Sequence, residues 1–189
     1  ARVKVVFLGD SLTAGYGLAS SEAYPSLLQA RLQSAGLAAE VVNAGVSGDT
    51  SAGGLRRLDW ALDGDVRVLV VALGGNDALR GLGTEDLRRN LAAIIERARE
   101  RGVTVLLAGM EAPPNLGRAY TSAFRQVYRD PRTLGIVLDV PLLLLVLFGS
   151  AVSTAVETVT VSVMDGDHTP ESRRIADLFR VLDIFEVGG

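Results

Sequence analysis

The amino-acid sequence predicts an α/β fold built on a five-stranded parallel sheet with helices on both faces. Short apolar runs alternate with segments of helical periodicity along most of the chain, the order of elements found in βαβ units. The apolar runs are continuous rather than alternating, as expected for strands that are buried on both faces. Ligands of such sheets bind beyond the carboxyl ends of the strands, so we expect a functional site at that edge.

Five runs rich in Val or Leu supply the predicted strands. They are Val3 to Leu8, Glu40 to Asn43, Val66 to Leu73, Val103 to Ala108, and Val140 to Leu147. The last run belongs to an uncharged stretch, Val140 to Val156, which also has to be considered as a membrane span. That stretch is shorter than the ~20 apolar residues a span needs, and Pro141 and Gly149 interrupt it. A buried strand followed by an apolar loop therefore fits better.

Helices are predicted between the strands from the residues at their ends. One lies between Pro25 and Gly36, because proline suits a first helical turn and glycine commonly follows a last one. Another has Thr84 as its N-cap and closes at Gly102, with acidic residues in its first turn. Two further helices are predicted, over Gly117 to Tyr128 and from Thr169-Pro170 onward.

Composition limits the classes of function. With 189 residues and 48% hydrophobic content, the chain fits one compact domain spanning 1–189. Its formal charge of −3 is spread over 19 basic and 22 acidic residues without a block of like charges, which argues against a nucleic-acid partner. The absence of cysteine excludes disulfides and thiolate nucleophiles.

The start of the chain bears on its compartment. Ala1-Arg2-Val3-Lys4 leads directly into the first apolar run, without the apolar core of a signal peptide. We expect either export after removal of a signal peptide, which is preferred, or residence in the cytoplasm. No integral membrane segment is expected, and the chain should be a monomer or a weak oligomer.

Ser11 and the single histidine are the candidates for catalysis. Ser11 follows the first strand in Gly9-Asp10-Ser11-Leu12, and His168 precedes the last helix, three residues after Asp165. An Asp at that spacing can accept a hydrogen bond from the Nδ1–H of the imidazole and leave Nε2 facing a serine. The alternatives are that Ser11 is a turn or cap residue, that His168 is a surface cap, or that Asp165, Asp167 and His168 bind a metal, for which ligands are few.

Two glycine-containing loops could supply donors to an oxyanion. Gly48 lies at the start of a predicted helix, where backbone N–H groups are free and the helix dipole favours negative charge. Asn76 follows the third strand in Gly74-Gly75-Asn76-Asp77 and offers a neutral side-chain amide. Taken separately, each is also an ordinary turn.

Together these four blocks, in this order along the chain, resemble the GDSL/SGNH hydrolase family. The blocks are Gly9-Asp10-Ser11-Leu12, Ser47-Gly48-Asp49-Thr50, Gly74-Gly75-Asn76-Asp77 and Asp165-x-x-His168. The likeness runs from about Val5 to Asp130, resumes near Asp165, and is strongest to bacterial enzymes that act as thioesterases, lysophospholipases and arylesterases. It departs from the family at Asp167 and Thr169, which flank His168, and over 151–163.

The resemblance implies a fold, a mechanism and a substrate class. The fold is a flavodoxin-like three-layer α/β/α sandwich with sheet order 2-1-3-4-5. Ser11, His168 and Asp165 form the implied catalytic triad, and the amides of Ser11 and Gly48 form the oxyanion hole with the Asn76 side chain. Such an enzyme cleaves carboxylic esters or thioesters of small-molecule substrates, without a metal or cofactor.

Further residues are candidates for substrate binding. They are Asp10, Leu79, Leu82, Ala112, Pro113 and Leu116, of which the apolar ones could line a groove for a short-to-medium acyl chain. Alternatively, the apolar residues only anchor their loops on the core. Two other functions stay open: a carbohydrate acetylesterase, which should expose aromatic platforms although Trp60 is the only tryptophan, and a catalytically silent binding module.

Overall fold

The computed structural model describes residues 2–130 and, beyond them, the backbone of 136–138, 159–162 and 185–188. Its strands are β1 (Val3–Gly9), β2 (Ala39–Gly45), β3 (Val66–Ala72), β4 (Thr104–Ala108), β5 (Ile136–Leu138), β6 (Val159–Ser162) and β7 (Phe185–Gly188). Its α-helices are α1 (Ser11–Ala14), α2 (Tyr24–Ser34), α3 (Ser51–Arg56), α4 (Leu58–Ala61), α5 (Gly75–Leu79), α6 (Thr84–Glu100) and α7 (Arg118–Val127).

The predicted α/β class with a parallel sheet is confirmed. β1 pairs in parallel with β2 on one side and with β3 on the other, and β4 pairs with β3, which gives the order 2-1-3-4 for the first four strands. Gly9, the last residue of β1, lies opposite Gly45 of β2 and Ala72 of β3. The three strands therefore end together, and the loops that follow them start from one edge of the sheet.

The sheet edge beyond β4 differs from the prediction. The predicted strand Val140 to Leu147 lies outside the described residues, and the strand that pairs in parallel with β4 is the shorter β5, Ile136–Leu138. β6 and β7 pair in parallel with each other in a separate two-stranded sheet, which the sequence did not predict. These are short segments, whose few residues carry too little periodicity to mark them.

The helix predicted from Thr169-Pro170 onward lies outside the described residues. The ends of the other predicted helices follow the predicted punctuation with one correction. Pro25 stands in the first turn of α2, and Gly36 follows its end in a left-handed conformation. For α6, however, the N-cap is Gly83, not Thr84, because the first helical hydrogen bond runs from Leu87 N–H to the Gly83 carbonyl at 3.2 Å. Thr84 is thus already inside the helix, one position too late for its hydroxyl to cap it.

Side chains of the sheet alternate between two hydrophobic clusters, one on each face. On β1, Val6 and Leu8 belong to the larger cluster and Phe7 to the smaller one. The larger cluster includes the buried faces of α6 and α7, namely Leu87, Leu91, Ile94, Ile95, Ala98, Phe124 and Val127. The smaller one includes Tyr24 and Leu28 of α2. Helices thus cover both faces, and the strand ends are left to carry the site.

No helix among the described residues is both long enough and apolar enough to span a membrane.

Candidate active site

Ser11 stands at the turn between β1 and α1, at the carboxyl edge of the sheet. It is the first residue of α1, and its side chain is half-buried. The turn requires a glycine at position 9, because a Cβ there would overlap Thr13 Oγ1 and approach the Ala72 carbonyl. Without side-chain bulk at Gly9, the chain reverses tightly and presents Ser11 directly after the strand.

Asp10 caps this helix from inside the protein. Its side chain is buried, Oδ1 accepts a hydrogen bond from the Leu12 N–H at 3.0 Å, and Oδ2 accepts one from Asn76 Nδ2 at 3.2 Å. Burial raises the pKa of Asp10, and the neighbouring Asp49 carboxylate acts in the same direction, while the two hydrogen bonds lower it. Both oxygens of the Asp10 carboxylate therefore accept hydrogen bonds from groups of the protein.

Gly48 lies in the loop that follows β2. Its φ of 78° is in the left-handed region, where a side chain would be strained, and the Asp49 N–H bonds to the Val46 carbonyl at 3.1 Å. The helix begins later than predicted, because Thr50 is the N-cap of α3 and its hydroxyl accepts from the Gly53 N–H. Gly48 therefore belongs to the turn before the helix rather than to its first turn.

The backbone N–H groups of Ser11 and Gly48 are both unengaged within residues 2–130. No acceptor in this part of the chain receives a hydrogen bond from either. At Ser11 this follows from its position, since the first N–H groups of a helix have no intrahelical partner. Two backbone donors are thus available to an anionic group.

Asn76, in the first turn of α5, joins the serine loop to the Gly48 loop. Its Nδ2 donates to the Asp49 carbonyl at 3.0 Å and to the Asp10 carboxylate at 3.2 Å. Asp10 precedes Ser11 and Asp49 follows Gly48. One side-chain amide therefore bonds to the chain neighbours of both residues with unengaged N–H groups.

The backbone around Asn76 is fixed on both sides. On one side Gly74 has a φ of 122°, and a Cβ there would overlap the hydroxyl of Tyr128, which donates to the Leu73 carbonyl at 2.8 Å. On the other side the buried Asp77 carboxylate accepts from the Ser51 N–H at 2.8 Å and from Ser51 Oγ at 2.6 Å. Asn76 is thus held between two buried anchors.

A residue that the sequence did not single out connects the strand ends. Arg57, between α3 and α4, forms an ion pair with Asp49 at 2.7 Å and donates to the backbone carbonyls of Ala44 and Gly9. Its acceptors are 8 to 48 residues away in sequence, so no local pattern could have revealed them.

The predicted substrate-binding residues have different environments. Leu79 is 71% exposed and Leu82 is 39% exposed, both near the end of α5. Ala112 is buried in the larger hydrophobic cluster, Leu116 packs against that cluster, and Pro113 is half-buried. Two of these apolar side chains therefore face solvent, and the others are partly or wholly engaged in packing.

Asp165, Asp167 and His168 lie outside the described residues. Among the residues that the structure does describe, no group of three or more His, Cys, Asp or Glu side chains is arranged to hold a metal ion.

Comparisons with known proteins agree on one family. The model of the GDSL-like lipase/acylhydrolase family matches residues 7–149. The chain is 48% identical over 125 residues to the esterase TesA of Pseudomonas aeruginosa, a match that covers 66% of this chain and 62% of that protein. It is 41% identical over 140 residues to thioesterase 1/protease 1/lysophospholipase L1 of Escherichia coli K12, with 74% and 64% covered. The match thus spans less than two thirds of the length of these relatives.

Solved structures extend the comparison over more of the chain. The crystal structure of AlinE4, an SGNH-hydrolase family esterase, superposes with a TM-score of 0.68 at 36% identity and covers 96% of this chain and 93% of that one. The crystal structure of TesA gives the same TM-score and identity, with 92% and 94% covered.

Proposed function

Because the chain belongs to the GDSL-like lipase/acylhydrolase family, we propose that it is a serine hydrolase that cleaves carboxylic esters or thioesters. One observation carries the proposal. Ser11, at the end of β1, lies in a loop that the Asn76 amide joins to the Gly48 loop through Asp10 and Asp49. A nucleophile beside backbone N–H groups and an amide is the arrangement that acyl transfer needs.

The reaction proceeds through an acyl-enzyme. His168 Nε2 takes the proton of the Ser11 hydroxyl as Oγ attacks the carbonyl carbon, and Asp165 holds the imidazole through Nδ1. The bond to the leaving alcohol or thiol breaks, and that group receives the proton from His168. A water activated by the same imidazole then attacks the acyl-enzyme, releases the acid and restores Ser11. No metal or cofactor takes part.

The oxyanion is stabilised by three donors: the N–H groups of Ser11 and Gly48 and the side-chain amide of Asn76. Both hydrogens of the Asn76 amide are engaged in the resting protein. The bond to Asp10, at 3.2 Å the longer one, is the bond that an oxyanion would replace. Asp10, a predicted substrate-binding residue, then orients Asn76 rather than touching the substrate.

We propose short-to-medium acyl groups as the substrates. Supporting this are the two exposed leucines, Leu79 at the end of α5 and Leu82 shortly after it. The names of the relatives also support it, since they include an esterase, an arylesterase and a thioesterase/lysophospholipase. Pro113 and Leu116 would form the far wall of the acyl groove. Buried Ala112 would support that wall from below.

We extend the proposal to the whole chain. Residues 1–189 would form one domain, a flavodoxin-like three-layer sandwich with sheet order 2-1-3-4-5. Its last loop would bring Asp165 and His168 to Ser11. A small-molecule substrate is the expected partner, and the oligomeric state would be a monomer or a weak oligomer.

A fluorophosphonate probe tests the reaction class. Such probes form a covalent bond with an activated serine, so we expect one labelled residue, Ser11, and no labelling of Ser11→Ala. Ser20→Ala is the matched control, because Ser20 is exposed in the short 3-10 helix that follows α1; it should label like the unmodified protein. A folded protein that fails to react would instead be a binding module.

The carbohydrate acetylesterase remains the second candidate and is separated by a substrate panel. Trp60 does not supply its aromatic platform. This side chain is exposed on α4, close to Asp63, whose carbonyl accepts a hydrogen bond from Lys4 near the start of β1. That is the sheet edge opposite Ser11. We expect kcat/KM for p-nitrophenyl esters and acyl-CoA thioesters to exceed that for acetylated sugars, and the reverse order would favour the acetylesterase.

A further inference from the structure

We propose that Arg57 is the positioning residue that holds the serine loop and the oxyanion-hole loops in register. This inference rests on the proposed function, since both concern the same site. In this role Arg57 acts on the segments that carry the reacting atoms.

The guanidinium of Arg57 donates along three directions to three different segments. Nη2 bonds to the Gly9 carbonyl at 2.9 Å, Nη1 to the Ala44 carbonyl at 2.6 Å, and Nε to Asp49 Oδ2 at 2.7 Å. Gly9 and Ala44 lie at the carboxyl ends of the adjacent strands β1 and β2. A single side chain thus ties two strand ends to the loop after the second.

Two of the three acceptors, Gly9 and Asp49, lie within two residues of a predicted catalytic donor. Gly9 precedes Ser11 by two residues, and Asp49 directly follows Gly48. Asp49 also passes the connection on, because its backbone carbonyl receives Asn76 Nδ2 at 3.0 Å. Arg57 is therefore connected through Asp49 to both loop donors of the oxyanion hole, and through the Gly9 carbonyl to the turn that presents Ser11.

The setting of the ion pair favours a fixed geometry over a fluctuating surface contact. The side chains of Arg57 and Asp49 are only 18% and 11% exposed, so water screens their attraction less than it would at the surface. The fold also makes room for the pair, because a Cβ at position 53 would overlap Asp49 Oδ1 and only glycine leaves that space. The planar fork of arginine matches several fixed acceptors, which the single rotatable ammonium of lysine does not.

A positioning role predicts a specific kinetic signature in Arg57→Lys. The charge opposite Asp49 is kept, but three fixed acceptors are no longer satisfied together. Misplacement of catalytic groups by about 1 Å costs on the order of 100-fold in rate, so we expect kcat on a p-nitrophenyl ester to fall by about 10- to 100-fold. KM should change by less than about twofold, since lost transition-state contacts lower kcat alone.

Arg56→Lys is the matched control. Arg56 is the neighbouring residue of the same segment, is exposed and lies outside the site. This variant should keep the kcat and KM of the unmodified protein. Circular dichroism and thermal unfolding of both variants establish that the protein compared is folded.

The decisive measurement is a double-mutant cycle with Asn76→Ala. If Arg57 acts through the oxyanion loops, Arg57→Lys should cost less than about threefold in kcat/KM once Asn76 is gone, because the two losses overlap. A loss of equal size in both backgrounds, or an Arg57→Lys variant within about twofold of the unmodified protein, overturns the proposal.

A replacement variant and a labelling control complete the experiment. Should Arg57→Lys not fold, Asp49→Asn takes its place in the same cycle, since it removes the charge of the pair while keeping the shape, and the same two outcomes overturn the proposal. Fluorophosphonate labelling of the unmodified protein separates the two hypotheses. Failure of that labelling removes the proposed function and this inference together, whereas normal labelling with an additive cycle removes only the role of Arg57.

Discussion

In the proposed mechanism, the buried Asp10 carboxylate serves the site without touching the substrate. Its two oxygens accept from the Leu12 N–H and from Asn76, so it both caps the helix of Ser11 and orients the proposed oxyanion donor. Burial opposes this arrangement by raising the pKa of Asp10, since a charge loses solvation in the interior. The buried charge of Asp10 therefore lowers the free energy of unfolding, while its hydrogen bonds order the site.

The cost at Asp10 predicts a pH-dependent stability difference in Asp10→Asn. Because the pKa of Asp10 is higher in the folded than in the unfolded protein, protonation of Asp10 stabilises the fold. This stabilisation is fully present below the unfolded value of 3.8 and is lost as the pH rises through the folded pKa. At neutral pH the unmodified protein bears the cost of a buried charge that the variant lacks. The Tm of the variant minus that of the unmodified protein should therefore be highest near neutrality and decrease as the pH falls towards about 4.

Thermal unfolding followed by circular dichroism across that range measures the difference. Asp65→Asn is the control, because Asp65 is 78% exposed, and its difference should stay flat. A difference for Asp10→Asn that grows in acid would contradict the argument. The same variant places an amide opposite the Asn76 amide, so its kcat should fall.

Gly74 offers a second test at the level of one residue. Gly74→Ala adds a methyl group at a φ of 122° and in the space of the Tyr128 hydroxyl. Backbone strain of about 1–3 kcal/mol and overpacking of about 1–3 kcal/mol should both reduce the free energy of unfolding. Gly81→Ala is matched, because Gly81 also has a positive φ of 63° but has no atom within 4 Å of an added Cβ.

Chemical denaturation of the two variants gives the comparison. Gly81→Ala should lose only the cost of a left-handed alanine, roughly 1–2 kcal/mol. Equal losses in both variants would show that the contact with Tyr128 contributes nothing.

At the scale of elements, a buried polar network joins the helices around the site. Ser51 of α3 donates to Asp77 of α5 through both its N–H and its hydroxyl, and Asn90 of α6 donates to the same hydroxyl at 3.0 Å. Asp77 is only 2% exposed, so its carboxylate depends on these partners. The network orients α5, and with it Asn76, relative to the rest of the domain.

Ser51→Ala tests this network. It removes one donor to a buried carboxylate and the acceptor of Asn90, and a buried polar group left without a partner costs about 1–3 kcal/mol. We expect the free energy of unfolding to fall by about that amount, measured by urea denaturation. Ser26→Ala, at a half-buried position of α2 where the hydroxyl binds the Ser20 carbonyl, should cost less, and a smaller loss at Ser51 than at Ser26 would argue against the network.

The elements also show which parts of the molecule local sequence can predict. β1 to β4 were predicted within a few residues, because continuous Val and Leu runs bounded by polar residues mark strands buried on both faces. The N-cap of α6 was predicted one residue too late. Gly83 and Thr84 are both acceptable caps, and the choice depends on the direction in which the preceding loop enters the helix. β6 and β7 lack a comparable pattern.

The candidate site divides in the same way. Ser11, Gly48 and Asn76 could be chosen from short motifs, whereas Arg57 and the pair of Ser51 with Asp77 could not. Their partners are 8 to 48 residues away, and only the packed sheet brings them together. Motifs therefore indicate the candidate residues of the site, and long-range contacts determine how these residues are held.

At the scale of the whole molecule, the proposed mechanism requires the two ends of the chain to meet. Ser11 follows the first strand, and His168 lies 157 residues later, beyond the described part of the fold. Because β1 to β4 are parallel, the loops after them all leave from one edge, and a C-terminal loop needs only to reach that edge. The proposal thus depends on a meeting of distant segments that can be measured in solution.

The single histidine makes this meeting directly testable. The chain has one imidazole, so one Hε1 resonance reports its pKa, and an unperturbed histidine titrates near 6.5. If His168 is the base, kcat/KM should fall about tenfold per pH unit below the pKa measured by NMR. Phosphonylation of Ser11 by the probe should shift that resonance, because the two side chains would be in contact.

Variants establish which group causes the fall in kcat/KM at low pH, the acidic limb of the pH profile. Asp10 is the competing source, since its pKa is raised. We expect the limb to persist in Asp10→Asn and to disappear in His168→Gln, together with most of the activity. If the limb moved with Asp10 and the imidazole resonance did not respond to phosphonylation, His168 would not be the base, and the two ends of the chain would not share a catalytic site.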